Sequence, residues 1–156
     1  MSEPGAKGSS VVLVHHADAV GPGVDAQRPL SAVGRAQAEW LAEYAKTAGV
    51  RPAMILHSGK LRARQTAECF HRVCNPLAEF RMARGLRPDD SPERMRDALA
   101  LETAEILIVS HMPILPALAR LLDSDVETFP LHGLMVFDRT GETSYEERWR
   151  IRPPGL

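Results

Sequence analysis

The 156-residue chain predicts an α/β fold, and three observations carry that expectation. Unbroken apolar runs at 11–14, 53–56 and 106–109 lack the polar alternation of a half-exposed strand, so each reads as a strand buried on both faces. Each run is followed by residues at helical spacing, the alternation that builds a parallel sheet wrapped by helices. Near the end, 134–137 and 145–150 flank Asp138-Arg139-Thr140-Gly141, which reads as a hairpin turn. The expected architecture is a three-layer α/β/α sandwich, mostly parallel, with an antiparallel edge hairpin.

The elements can be justified in order. Residues 1–10 are Gly, Ser, Pro and charge without an apolar stretch, which predicts a flexible tail, neither signal nor anchor, ahead of a single domain over 11–156. The first strand, Val11-Val12-Leu13-Val14, runs into His15-His16 and a Gly21-Pro22-Gly23 turn. Ser31 has the chemistry of an N-cap, and Val33, Ala36, Trp40, Leu41, Tyr44 and Ala45 follow at helical spacing until Gly49 stops the helix. Pro52 opens the second strand run, which breaks at His57-Ser58-Gly59 into a helix ending near Asn75-Pro76. Residues 77–90 are aperiodic and rich in Arg and Pro, and the arginines from Arg81 to Arg96 read as a solvated face. Ser91-Pro92 places a cap and a first-turn proline before a short helix carrying Met95 and Leu99. The third strand run breaks at Ser110-His111-Met112-Pro113 into an apolar helix ending near Leu122.

Composition narrows the function classes. Content of 44% hydrophobic and 25% charged residues is that of a soluble globular domain and excludes disorder. Nineteen Lys and Arg against twenty Asp and Glu leave a net charge of −1, so no overall field recruits nucleic acid or an anionic membrane, and neither is expected as a partner. No apolar run approaches the roughly 18 residues of a membrane span. Cys69 and Cys74 lie five apart in one helix, on different faces, which suits free thiols in a reducing compartment, and the cytoplasm is the expected location.

Six histidines stand out in a chain otherwise low in aromatics. His15-His16, His57-Ser58 and Ser110-His111 each follow a strand run, so a parallel sheet would carry four histidines to the rim where α/β sheets bind ligands. His71 and His132 read as structural or solvated. The helix after Ser58-Gly59 points its N-terminus at the same rim and carries Lys60, Arg62 and Arg64. Guanidinium groups and helix amides suit phosphate oxygens and would repel a metal cation.

Four segments then resemble a known family. Leu13-Val14-His15-His16-Ala17-Asp18-Ala19 resembles the L-V-R-H-G-(D/E)-A stretch of the histidine phosphatase superfamily, which includes phosphoglycerate mutases and phosphohistidine phosphatases. Arg28-Pro29-Leu30-Ser31-x-x-Gly34 is similar to its R-P-L-(S/T)-x-x-G, and Ser58-Gly59-x-x-Arg62-Ala63-x-x-Thr66-Ala67 to its S-P-x-x-R-A-x-x-T-A. Val109-Ser110-His111-Met112-Pro113 resembles its V-(G/S)-H-x-P. The short, uncapped chain most resembles the small SixA-type phosphohistidine phosphatases. The resemblance implies a phosphoglycerate mutase-like fold and His16 as a nucleophile that forms a phosphohistidine intermediate. It implies Arg62 and His111 as the other catalytic groups, phosphate held by His15, His16, Arg62 and His111, and no metal or other cofactor. Asp18, Arg28, His57 and Ser58 are further pocket candidates. The implied partner is a protein carrying phosphohistidine, or a small phosphate ester.

Two positions depart from the pattern. His15 stands where the family carries Arg, next to Ala17 in place of Gly, and Gly85 of Gly85-Leu86-Arg87-Pro88 stands where E-L-x-P would supply an acid. Losing one oxyanion donor typically costs on the order of 10²–10³ in rate. A phosphate dianion would favour protonated His15, the Ala17 methyl would crowd a backbone that approaches the ligand, and Asp89, Asp90 or Glu93 are candidate replacements for the acid. These departures keep two alternatives open: a catalytically impaired pseudophosphatase that binds phosphate or a phosphorylated partner, and a metal-binding protein using His15, His16, Asp18 and His111.

Overall fold

The computed structural model describes residues 10–155. The tail expected at 1–10 lies outside the described residues except for Ser10, which opens the first strand. The chain forms β1 (Ser10–His15), α1 (Ala32–Thr47), β2 (Met54–His57), α2 (Leu61–Cys74), β3 (Glu79–Met82), α3 (Pro92–Ala100), β4 (Ile106–Ser110), α4 (Ile114–Leu122), β5 (Leu134–Arg139) and β6 (Tyr145–Ile151). The sheet order is β3-β2-β4-β1-β5-β6. The first four in that order run parallel, β5 is antiparallel to β1, and β6 to β5. This is the expected sandwich with its edge hairpin, plus one strand that the sequence pattern hides. Strand β3 falls inside the stretch read as aperiodic: it lies at the sheet edge with mostly exposed side chains, so pairing with β2 rather than apolar alternation defines it. The hairpin turn also lies later than expected, because Asp138 and Arg139 still pair with Glu146 and Tyr145, and the Thr140 amide closes the turn on the Ser144 carbonyl at 2.9 Å.

The pleat sorts the continuous apolar runs onto two cores. Val12 and Val14 face a cluster with Leu41 of α1, Phe70 of α2 and Val109 of β4. Val11 and Leu13 face the opposite cluster with Leu99 of α3, Leu115 and Leu118 of α4, and Phe137 of β5. Burial on both faces is why these strands needed no polar alternation.

Helix α1 begins where the Ser31 hydroxyl accepts the Gly34 amide at 3.0 Å, and ends before Gly49, whose φ of +93° suits glycine. Gly34 has a second reason to lack a side chain. A Cβ there would lie 1.9 Å from the Asp18 carbonyl oxygen, so glycine lets α1 close on the loop that follows β1. Cys69 and Cys74 are both free and buried, and burial pushes each thiol up to about 12, which leaves them unreactive at neutral pH. No described helix is long and apolar enough to cross a membrane.

Candidate active site

Register decides which strand-end residues reach the rim. Val14 of β1 pairs with Val109 of β4, which also pairs with His57 of β2, while His15 pairs one step further along with Ser110. His57 therefore sits one level inside the sheet. Its ring packs 5.2 Å from that of Phe80, and its Nδ1 accepts the Gly59 amide, so the expectation that His57 joins the rim is corrected. His132 takes the fourth place. It precedes β5, and because β5 runs antiparallel to β1, the start of that strand lies at the carboxyl end of the parallel strands. The four rings form a chain: His15 to His16 at 4.4 Å, His16 to His111 at 5.0 Å, and His15 stacked on His132 at 4.9 Å with planes 6° apart.

Hydrogen bonds to backbone groups fix which ring nitrogen of His15, His16 and His132 carries the proton. His16 Nδ1 lies 2.8 Å from the Ala17 carbonyl, an acceptor, so this nitrogen holds the hydrogen and Nε2 keeps its lone pair. His132 Nδ1 likewise donates to the His16 carbonyl at 2.8 Å. His15 is opposite: its Nδ1 accepts the backbone N–H of His132 at 2.8 Å, which places the hydrogen on Nε2. Ser58 Oγ accepts the Lys60 amide at 3.3 Å and lies 2.6 Å from His111 Nε2. With the hydroxyl hydrogen directed to His111, Nδ1 of that ring becomes the donor, and it is buried without a protein partner.

His15, His16 and His111 are neutral at pH 7. Burial first, then His16, His132, His111 and Arg62, pushes His15 down to about 2. Burial pushes His16 down to about 4 against the opposing hydrogen bond to Ala17, and burial with His16 and Arg62 pushes His111 to about 3. Protonating His15 would set a new Nδ1–H against the His132 N–H, so the expectation that an anion charges this ring is corrected on geometric grounds.

Two arginines act on His16 and His111. Arg62, in the first turn of α2, has a buried Nε with no partner, and burial followed by Arg28 lowers its pKa from the usual arginine range. Arg28 adopts φ +53° and anchors its Nε to the Val20 carbonyl at 3.0 Å. Neither arginine is in an ion pair among the described residues. Both bear electrostatically on His16 and His111. Arg64 turns instead to Glu68 at 3.6 Å on the exposed face of α2. The strand-to-helix loop is tied to α2 through Thr66, whose hydroxyl accepts the Ala17 amide at 3.0 Å. The Ala17 side chain is buried in the core cluster with Val14 and Ala63, so its methyl packs inward instead of crowding the pocket as expected.

Asp18 accepts the Ser31 hydroxyl at 2.7 Å, and its other oxygen lies 3.9 Å from His132 Nε2. It steadies the outer histidine, not His15 or His16. Of the candidate acids, Glu93 is exposed and bound to the Ser91 hydroxyl, while Asp90 gives one oxygen to the Arg87 amide at 2.8 Å. Ring nitrogens of His15, His16 and His132 all lie within 4.8 Å of one another, a spacing that invites comparison with a metal site. The donor set does not fit one. His15 Nδ1 is committed to a backbone amide, Nε2 carries the hydrogen, and Arg62 adds positive charge. Two N–H donors beside an unpaired guanidinium suit an oxyanion.

The sequence profile of the histidine phosphatase superfamily (branch 1) matches residues 11–88, half of the chain. The chain belongs to this superfamily. Membership indicates a phosphatase. No curated protein matches it by sequence. Among solved structures, the protein histidine phosphatase SixA complexed with tungstate is similar over 92% of this chain and 97% of its own, at 22% identity and a TM-score of 0.83. A protein of Agrobacterium tumefaciens assigned as SixA is similar over 95% and 100%, at 24% identity and TM-score 0.79. A mycobacterial glucosyl-3-phosphoglycerate phosphatase is similar over 90% and 98%, at 17% identity and TM-score 0.70. At these identities the likeness establishes the shared phosphoglycerate mutase-like fold.

Proposed function

We propose that this histidine phosphatase hydrolyses phosphoryl groups through a phosphohistidine formed on His16, with phosphohistidine of a partner protein or a small phosphate ester as substrate. One observation carries the reading: Arg62 Nε and His111 Nδ1 are both buried without protein partners, and both residues bear on His16. Burying unpaired donors is costly, and an anion oxygen satisfies both.

The steps follow from the proton positions. His16 Nε2 offers its lone pair to phosphorus, and the bond to the leaving group breaks as the new P–N bond forms. Arg62, the Nε2–H of His15 and the Nδ1–H of His111 bind the three non-bridging oxygens, where fixed donors and charge do most of the work of phosphoryl transfer. Water then attacks the same phosphorus, releasing phosphate and restoring neutral His16. The Nδ1–H bond to Ala17 keeps His16 oriented throughout and stabilises positive charge on the ring in the intermediate. With Gly85 in place of a carboxylate, a leaving group that departs already protonated is favoured. A phosphohistidine imidazole is such a group, whereas an alkoxide is not. No step calls on a metal.

The test is phosphate release from p-nitrophenyl phosphate and from a phosphohistidine peptide in the presence of chelator. Turnover by the wild type that falls at least about 10³-fold in His16→Ala is the expected result. Tight phosphate binding without turnover would instead establish the non-catalytic, phosphate-binding role, and loss of turnover on chelation would establish metal dependence.

A further inference from the structure

The position that lacks its acid also shapes the rim beside the phosphoryl site. Gly85 has φ +91°, and a Cβ built there would lie 3.2 Å from Arg94 Cδ, so the bare glycine makes room for the stem of that arginine. Arg94, Arg84 and Arg87 line one cleft of about 440 Å³, which Ser58 and Asp90 also line. Ser58 is the residue that holds His111 at 2.6 Å, so the cleft opens against the catalytic constellation.

The segment carrying Arg84 and Arg87 is pinned to the site at two points, and Arg94 joins it from α3. The Ala83 amide donates to the His57 carbonyl at 2.9 Å, and the hydroxyl of Ser110, the neighbour of His111, donates to the Leu86 carbonyl at 2.5 Å. None of the three guanidinium groups is in an ion pair among the described residues. The acid in the cleft, Asp90, has one oxygen on the Arg87 amide. Three guanidinium groups thus share the cleft with the single carboxylate of Asp90, an excess of positive charge that an anion laid among them would relieve.

We propose that this cleft is a subsite for a second anionic group of the substrate, a carboxylate or phosphate attached to the leaving portion of the molecule that delivers its phosphoryl group to His16. The inference rests on the proposed phosphoryl site. The shared chemistry has two sources: an acidic side chain flanking phosphohistidine in a protein, or an acidic substituent on a small ester. The cleft volume lies within the range of small-ligand sites and exceeds what one carboxylate fills, so it admits either.

Two matched pairs separate the sources and test the subsite: phosphohistidine peptides differing only in Glu or Gln flanks, and 2-phosphoglycolate against ethyl phosphate. The readout is the ratio of kcat/KM within each pair for a single enzyme sample, so a general change in rate does not register. The wild type should favour the anionic member of one pair by about tenfold at low salt, and the preference should shrink as salt rises from about 50 to 500 mM. The triple substitution Arg84→Gln, Arg87→Gln, Arg94→Gln should bring the ratio below about twofold. Should the triple variant fold poorly, Arg87→Gln alone should still lower the ratio measurably. A preference for the Glu peptide identifies an acidic protein segment, and one for 2-phosphoglycolate a small acidic ester. Equal rates across both pairs in the wild type, or a preference that survives removal of the arginines, would overturn the proposal. Equilibrium binding of the same pairs to His16→Ala, with and without the arginines, decides the matter independently. A binding preference that depends on the arginines, found together with no turnover by the wild type, sustains the subsite while the hydrolytic reading falls.

Discussion

The two walls of the phosphoryl pocket solve one problem by opposite means. On the β1 and β5 side, His15 is nearly inaccessible, neutral, and fixed through a backbone amide. On the α2 side, Arg62 carries full charge, and no described residue neutralises it. The first wall supplies direction at little electrostatic cost, and the second supplies charge that becomes useful when an anion arrives. Arg62 already feels the repulsion of Arg28, and a neutral donor at position 15 adds no third cation to that pair.

Substitutions that exchange the character of the walls sharpen this contrast. The largest effect after loss of the nucleophile belongs to the charged wall: Arg62→Gln should lower kcat/KM by about 10²–10³ in phosphate-release kinetics, because it removes charge where charge develops. A smaller loss is expected on the neutral wall. His15→Ala should cost about 10²-fold, while His15→Gln, which keeps an uncharged N–H near the position of Nε2, should recover most of it. Equal losses in the two variants would show that His15 acts as a cation. His15→Arg separates affinity from stability: it adds charge for phosphate but leaves the His132 amide without an acceptor, so phosphate should bind more tightly in titration while Tm falls by several degrees.

The smallest effects concern pH. His16 must be neutral to attack, and its pKa of about 4 places the acid limb of kcat/KM well below the ordinary histidine value of about 6.5. An acid limb at 6–7 assigned to His16 by its loss in no other variant would refute that. The same depression makes folding sensitive to acid. Since His15 titrates at about 2 when folded and near the ordinary value when unfolded, its neutral burial stabilises the fold fully above about 6.5. That contribution declines as pH falls towards 2. Thermal unfolding between pH 7 and 4 should therefore weaken less in His15→Gln than in the wild type.

Much of this was legible in the sequence, for identifiable reasons. The runs at 11–14, 53–56 and 106–109 announced buried strands because nothing polar interrupts them, and Ser31 and Gly49 bracket α1 with the chemistry its ends require. His16, Arg62 and His111 could be placed at one rim because parallel strands deliver their carboxyl ends together. His132 was missed because that same rule looks after strands, and an antiparallel neighbour contributes the residue before one. The misplacement of His57 came from a single step of register, which composition and periodicity do not reveal. Strand β3 carries its information in edge hydrogen bonds rather than in side-chain pattern.

The bond from the His132 amide to His15 has an evolutionary side. A main-chain N–H is present at every residue except proline, so the tautomer of His15 does not depend on the identity of its neighbour. A histidine at position 15 therefore needs no particular side chain at position 132 to fix its tautomer. The His132 ring has its own work, stacked on His15 and bonded through Nδ1 to the His16 carbonyl, so its amide and its side chain hold the two histidines by separate contacts.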